Sequence, residues 1–240
     1  MNAAANERWN DPAHHVAGAM GGVVLAAGRS QRMGEPKPLI RCGKLTFLER
    51  VIEGLKAAEA TPLVIVTSPA LRLQVAPLAP AGTAVVDNPR PELGMAESLR
   101  LGLRALDPAP SPPRAGRASD RDAAAGPTPH PAVGAVLVAL VDHPFVRLET
   151  WRELGRAARA NPGRIVQPVF QGQIGHPTVI PAAIFADVFA LTADRGLDSV
   201  IAAHESLVVR LCVADPGVVT DIDTREDLEA ALRALKPDDR

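Results

Sequence analysis

The chain reads as an α/β protein: three α/β/α layers built on a mostly parallel central sheet. Two observations predict this. Short apolar runs, GVVLAA (22–27), PLVIVTS (62–68) and GAVLVALVDHP (134–144), suit strands buried on both faces. Segments with apolar residues at helical spacing separate them, and alternating strands and helices imply parallel pairing with helices on both sides. A length of 240 residues can bury a substantial core.

Residues 1–20 lack the basic start and continuous apolar region of a signal peptide and read as a disordered leader. The strand at 22–27 runs into a loop, 28–38, rich in glycine and cations. Thr46 opens a helix: Thr46-x-x-Glu49 has capping-box form, and Phe47, Leu48, Val51, Ile52 and Leu55 make one apolar stripe. Strands at 62–68 and 83–88 follow, then a helix over 94–106 with Met95, Leu99, Leu103 and Leu106 on one face. Residues 107–132, rich in Pro, Ala, Gly and charge, bury too little apolar surface to order themselves and read as a flexible insertion. The strand at 134–144 ends in an acid. A helix near 148–160 precedes a strand at 164–170 and an extended piece at 176–181. Helices near 182–190 and 196–204 lead to a strand at 206–213. Thr224 starts the last helix, with Asp227 at the capping position and Leu228, Ala231, Leu232 and Leu235 inward. One domain therefore spans 21–235, with a tail at 236–240 and no internal repeat.

Composition excludes several classes of function. A net charge of −1, no Tyr and no basic block argue against nucleic acid or an anionic membrane as partner. No stretch has the apolar length of a membrane span. Cys42 and Cys212 lack zinc-like spacing and read as reduced, packed thiols, which places the chain in the cytoplasm.

Loop 28–38 carries the chemistry. Ligands of open α/β sheets sit beyond the carboxyl ends of the strands, where this loop begins. Gly28 allows a turn and close approach of a ligand, and successive backbone N–H groups can form an anion-binding concavity. Arg29, Arg32 and Lys37 can converge on one polyphosphate, and Pro36 and Pro38 stiffen the chain around Lys37. The loop is not G-x-x-x-x-G-K-[ST], because the sixth position from Gly28 is Met33. It is not G-x-G-x-x-G, because Ser30 stands at the second glycine, so a dinucleotide-dependent dehydrogenase is disfavoured.

LAAGRSQRMGEPKPLI (25–40) resembles the signature L-A-A-G-x-S-x-R-M-G-x-x-K-x-L of nucleotidyltransferases with a GT-A-like, Rossmann-type fold, at every signature position. The resemblance is nearest to molybdenum cofactor cytidylyltransferases and their relatives. It extends in order through NPRPELGMAESLRLG (88–102), VALVDHPFV (138–146), GQIGHPTVIP (172–181) and DPGVVTDIDTREDLEAA (215–231). It implies a nucleotide site formed by Leu25, Ala26, Ala27, Gly28, Arg29, Ser30, Arg32, Met33, Gly34 and Lys37, with Asn88, Gly94 and Ser98 walling the base and ribose. It implies a Mg²⁺ shared by Asp142 and an acid of the Asp-x-Asp segment, with Asp223 as direct ligand and Asp221 as its neighbour. Asp223 could equally serve as a helix-terminal charge or cap. His143 stands where relatives more often carry Gln, and either contacts phosphate or acceptor or closes a turn. His143, Gly175 and His176 are expected on the acceptor side.

The implied reaction is transfer of a nucleoside monophosphate from an NTP, CTP by the Leu-Ala-Ala-Gly form of the turn, to the terminal phosphate of molybdopterin cofactor. Lys37, Arg29 and Arg32 carry the catalysis by neutralising phosphate charge. The alternatives are GTP as donor, another small phosphorylated acceptor, and a non-catalytic protein that delivers cofactor to a molybdoenzyme partner.

Overall fold

The computed structural model describes residues 19–28, 32–106, 133–192 and 195–234. The leader through residue 18, the 107–132 insertion, Leu235 and the tail lie outside them.

An eight-stranded sheet runs in the order β10-β7-β9-β6-β1-β4-β5, with β8 paired to β7. Strands β1 (Met20–Ala26), β4 (Leu63–Thr67), β5 (Ala84–Asp87) and β6 (Ala135–Leu140) are mutually parallel, as are β7 (Ile165–Phe170) and β10 (Val208–Cys212). The extended piece at 176–181 becomes β9 (Thr178–Pro181), antiparallel to both β6 and β7. Two features carried too little local signal to be expected: the small hairpin of β2 (Arg41–Cys42) and β3 (Leu45–Thr46), and the short strand β8 (Gln173–Ile174). Met20, assigned to the leader by its sequence, opens β1 and is 5 % exposed.

Residues of β1 alternate between two cores, as expected of a strand covered on both faces. Met20, Val24 and Ala26 join α1 (Phe47–Ala57), α4 (Leu148–Ala160) and, at its rim, α7 (Arg225–Ala234). Val23 and Leu25 join α3 (Met95–Leu106), α5 (Phe185–Ala190) and α6 (Leu197–Ala203). The α1 stripe is essentially solvent-free, each side chain no more than 2 % exposed, and burial of one such side chain stabilises by about 1.5–3 kcal/mol. The Thr46 capping box forms: Glu49 N–H donates to Thr46 Oγ1 at 3.2 Å, and Thr46 N–H donates to Glu49 Oε2 at 2.7 Å. A short helix, α2 (Arg72–Val75), lies between β4 and β5.

The strand order creates the place for a site. From β1 the chain moves outward to β4 and β5, then returns to lay β6 on the other side of β1. The connections leaving β1 and β6 therefore part at their carboxyl ends, and such a switch point opens a crevice.

Candidate active site

A cleft of about 540 Å³ opens at that switch point. The end of β1 lends it Leu25, Ala27 and Gly28, and the end of β6 lends Leu140, Val141 and Asp142. Gly94, Met95 and Ser98 enter from the start of α3, Lys37 and Pro38 from a single 3-10 turn, Arg32 from the loop, and Asp223 from the segment before α7.

Lys37 is 9 % exposed. Its Nζ donates to Asp223 Oδ1 at 2.5 Å and to Asp142 Oδ2 at 3.2 Å, while Arg32 donates to Asp223 Oδ2 at 2.5 Å. The hydrogen bond and charge of Lys37, with Arg32 behind, hold the Asp223 carboxyl below the usual carboxylate range. Backbone pairing explains how acids so distant in sequence meet: Ile222 N–H donates to Asp142 C=O at 2.8 Å, and the Ile222 side chain is fully buried. With Ile222 inward, Asp223 lines the cleft, whereas Asp221 is exposed and does not. The helix cap is made by others: Asp227 N–H donates to Thr224 Oγ1 at 3.1 Å, and Asp227 Oδ2 accepts from the backbone N–H groups of Thr224 and Asp223 at 2.8 and 3.1 Å. The Asp223 carboxylate is thereby left to the cleft.

Several residues of the expected nucleotide site stand elsewhere. Met33 is 2 % exposed and Ala26 is 1 % exposed, both packed in the core beneath the loop, because an apolar side chain there gains more from burial than from a polar cleft. Gly34, not Gly28, makes the tight turn, at φ 73°, and it faces solvent. Among the described residues a β-carbon at Gly28 would meet no atom within 4 Å, so the missing side chain widens the cleft itself. Asn88 is fully buried and forms no wall: its Nδ2 donates to Ser98 Oγ at 2.9 Å and its Oδ1 accepts from Arg90 N–H at 2.9 Å, which fixes Ser98 at the cleft and shapes the turn into α3. Gly94 ends that turn at φ 82°. Arg29 and Ser30 lie outside the described residues.

On the expected acceptor side, His176 lines a second pocket of about 180 Å³ that shares Leu25, Gly94, Met95 and Leu140 with the first. Burial, aided by the neighbouring His143, pulls the His176 pKa down to about 4, and the ring centroids lie 5.2 Å apart. His143 is 8 % exposed; its N–H donates to Leu140 C=O at 3.3 Å, and its Nδ1 lies 3.4 Å from Gly217 C=O. Among the described residues neither pocket's lining includes it, so it closes the turn after β6. Gly175 also lines neither pocket: a β-carbon there would stand 2.3 Å from Val218 C=O, so its role is close packing against the 215–220 segment.

Sequence reasoning missed Asp215. This carboxylate, 2 % exposed, accepts from Arg147 N–H at 2.8 Å, Thr150 Oγ1 at 2.7 Å and Gly217 N–H at 2.9 Å. It staples the strip carrying Asp223 to the loop following Asp142. The Asp-Pro-Gly triplet, with its tendency to fold the Asp side chain onto the backbone two residues on, was the available signal.

The cleft suits a divalent cation with phosphate. Both carboxylates already converge on one cation, the Lys37 ammonium, and Asp142 Oδ1 is buried with no hydrogen-bond partner among the described residues. Magnesium takes one or two carboxylates and completes its shell with water and phosphate oxygen.

Residues 22–207 match the MobA-like NTP transferase domain family. A protein of Mycobacterium ulcerans (strain Agy99) named "Probable molybdenum cofactor guanylyltransferase" is 28% identical over 218 residues, covering 90% of this chain and 94% of its own. A protein of the same name from Mycobacterium tuberculosis (strain ATCC 25618 / H37Rv) is 25% identical over 219 residues, with 89% and 94% covered. The crystal structure of a Mycobacterium tuberculosis H37Rv protein superposes with a TM-score of 0.69 at 25% identity, covering 91% of this chain and all of the other.

Proposed function

Since the chain belongs to the MobA-like NTP transferase domain family, we propose that it transfers a nucleoside monophosphate from an NTP to the terminal phosphate of a molybdopterin-type acceptor, releasing pyrophosphate. The observation that carries this reading is the meeting of Lys37, Asp142 and Asp223 in one cleft whose wall at Gly28 is bare backbone.

The triphosphate lies over Gly28 with its negative charge toward Lys37 and Arg32. An oxygen of the acceptor's phosphate forms a bond to the α-phosphorus as the bond to the bridging oxygen breaks, and pyrophosphate departs with that electron pair. Lys37 meets the charge that grows on the α-phosphate oxygens, and Arg32 holds the outer phosphates. Alignment and charge neutralisation supply the rate, because a phosphate nucleophile is already ionised and needs no strong base. Asp142 and Asp223 would hold Mg²⁺, which when bound neutralises phosphate charge. The pocket at His176, which shares Gly94 and Met95 with the first, receives the acceptor.

The base is where two lines of support part. The Leu-Ala-Ala-Gly turn supports CTP, and Ala27 lines the cleft, where a methyl in place of glycine would narrow the room for a base. The guanylyltransferase names of the mycobacterial relatives support GTP. We read the donor as CTP. Pyrophosphate release is measured with Mg²⁺, molybdopterin and each NTP in turn. Release with CTP supports the reading, release with GTP alone moves the assignment to guanosine, and no release with any NTP rejects transfer to this acceptor.

A further inference from the structure

We propose that Lys37 competes with the divalent cation for Asp142 and Asp223, so that metal enters the cleft only together with a triphosphate. This rests on the nucleotidyl-transfer reading and adds an order of binding to it.

The Lys37 ammonium sits between the two carboxylates, at 2.5 Å from one and 3.2 Å from the other, with its side chain only 11 % exposed. A metal held by the same two groups would stand within a few ångströms of that charge. Like charges so close repel strongly where water is scarce. Arg32 adds a third positive charge on Asp223. The two carboxylates would then be shared among Lys37, Arg32 and a divalent cation, and the metal's hold on them weakens. A triphosphate changes the balance: its oxygens take over Lys37 and Arg32 and free the carboxylates for the metal. Pro36 and Pro38, either side of Lys37, restrict the backbone there, so relief must come from the side chain swinging rather than from the turn opening.

The test is Mn²⁺ titration followed by electron paramagnetic resonance. It compares the wild-type chain, Lys37→Gln and Arg32→Gln, each with and without a non-hydrolysable CTP analogue, and with a GTP analogue where the CTP analogue does not bind. Without analogue, Lys37→Gln should take up Mn²⁺ about tenfold more tightly than wild type, within the usual range of couplings between sites. Arg32→Gln should gain less, because the Arg32 side chain is 70 % exposed and its charge is screened. Mn²⁺ alone should raise the melting temperature of Lys37→Gln and leave that of wild type unchanged. Equal Mn²⁺ affinity of wild type and Lys37→Gln would overturn the proposal. So would wild type binding Mn²⁺ alone as tightly as with an analogue, a result that needs no variant to fold. If an analogue binds but brings no Mn²⁺ to the cleft, the metal assignment fails and the competition with it. If neither analogue binds at all, the nucleotidyl-transfer reading itself has failed.

Discussion

Lys37 Nζ and Asp223 Oδ1 lie 2.5 Å apart although 186 positions separate them in the chain. That contact joins the loop after the first strand to the segment before the last helix, and Asp142 completes it from β6. Replacing Lys37 should therefore abolish chemistry more than binding. Lys37→Met is expected to lower kcat by about 10²–10³, the scale of losing one charge-stabilising group. Lys37→Arg should rescue little, because a planar guanidinium cannot fit a site built for a compact ammonium. Single-turnover pyrophosphate release measures both.

The Asp-x-Asp segment offers an internal control. Asp223 lines the cleft, while Asp221 faces solvent. Asp223→Asn should reduce kcat/KM by at least about 100-fold, whereas Asp221→Asn should stay within about threefold of wild type, as surface substitutions usually do. Equal losses in the two variants would show that the segment is seated differently.

Gly28 and Gly94 should separate binding from stability. An Ala at Gly28 meets no atom of the described residues and needs no positive φ, so the melting temperature of Gly28→Ala should match wild type while NTP affinity falls. Gly94→Ala forces an L residue to φ near 82° and should destabilise by about 1–2 kcal/mol. Urea unfolding read beside nucleotide titration distinguishes the two effects.

Asp215 lines neither pocket of the site, yet three hydrogen-bond donors converge on it. Asp215→Ala leaves them unmet at a nearly sealed position and should cost about 3 kcal/mol. Asp215→Asn, which keeps one acceptor oxygen, should recover part of that. Denaturant midpoints at unchanged m-value are the measurement.

His176 makes stability depend on pH over a defined window. Its pKa is about 4 in the folded chain against 6.5 ordinarily. Below 6.5 the unfolded chain takes up a proton that the folded chain refuses, so stability should fall as pH drops from 6.5 toward 4, and more steeply than in His176→Gln. Asp223 acts lower on the scale. Its folded pKa is depressed, so its contribution is complete above the unfolded value of about 4 and drains away below it. Urea unfolding of wild type, His176→Gln and Asp223→Asn at pH 7, 5 and 3.5 resolves both windows.

Much of this was legible in the residues alone. Val23, Val24 and their neighbours announced a doubly buried strand, Thr46 with Glu49 announced a helix start, and the residues around Gly28 announced a cationic loop at the strand end. Each is a short-range signal: periodicity, a cap, a turn at a strand end. Met33, Asn88 and Gly175 were misplaced because a motif position names a residue type without saying which way its side chain points. Met33 went into the core, Asn88 beneath Ser98 and Gly175 against Val218.

The amino-acid order by itself determined the succession of strands and helices, the cationic loop and the set of acids that could answer it, since all of these follow from interactions a few residues long. Only the folded chain showed how Asp223, already favoured over Asp221 by the resemblance, comes to face Lys37, and that Asp215 braces the strip between. Those choices turn on the Ile222 amide reaching the Asp142 carbonyl and on the burial of the Ile222 side chain. Contacts of that kind exist only once the sheet has brought the end of β6 beside the approach to α7.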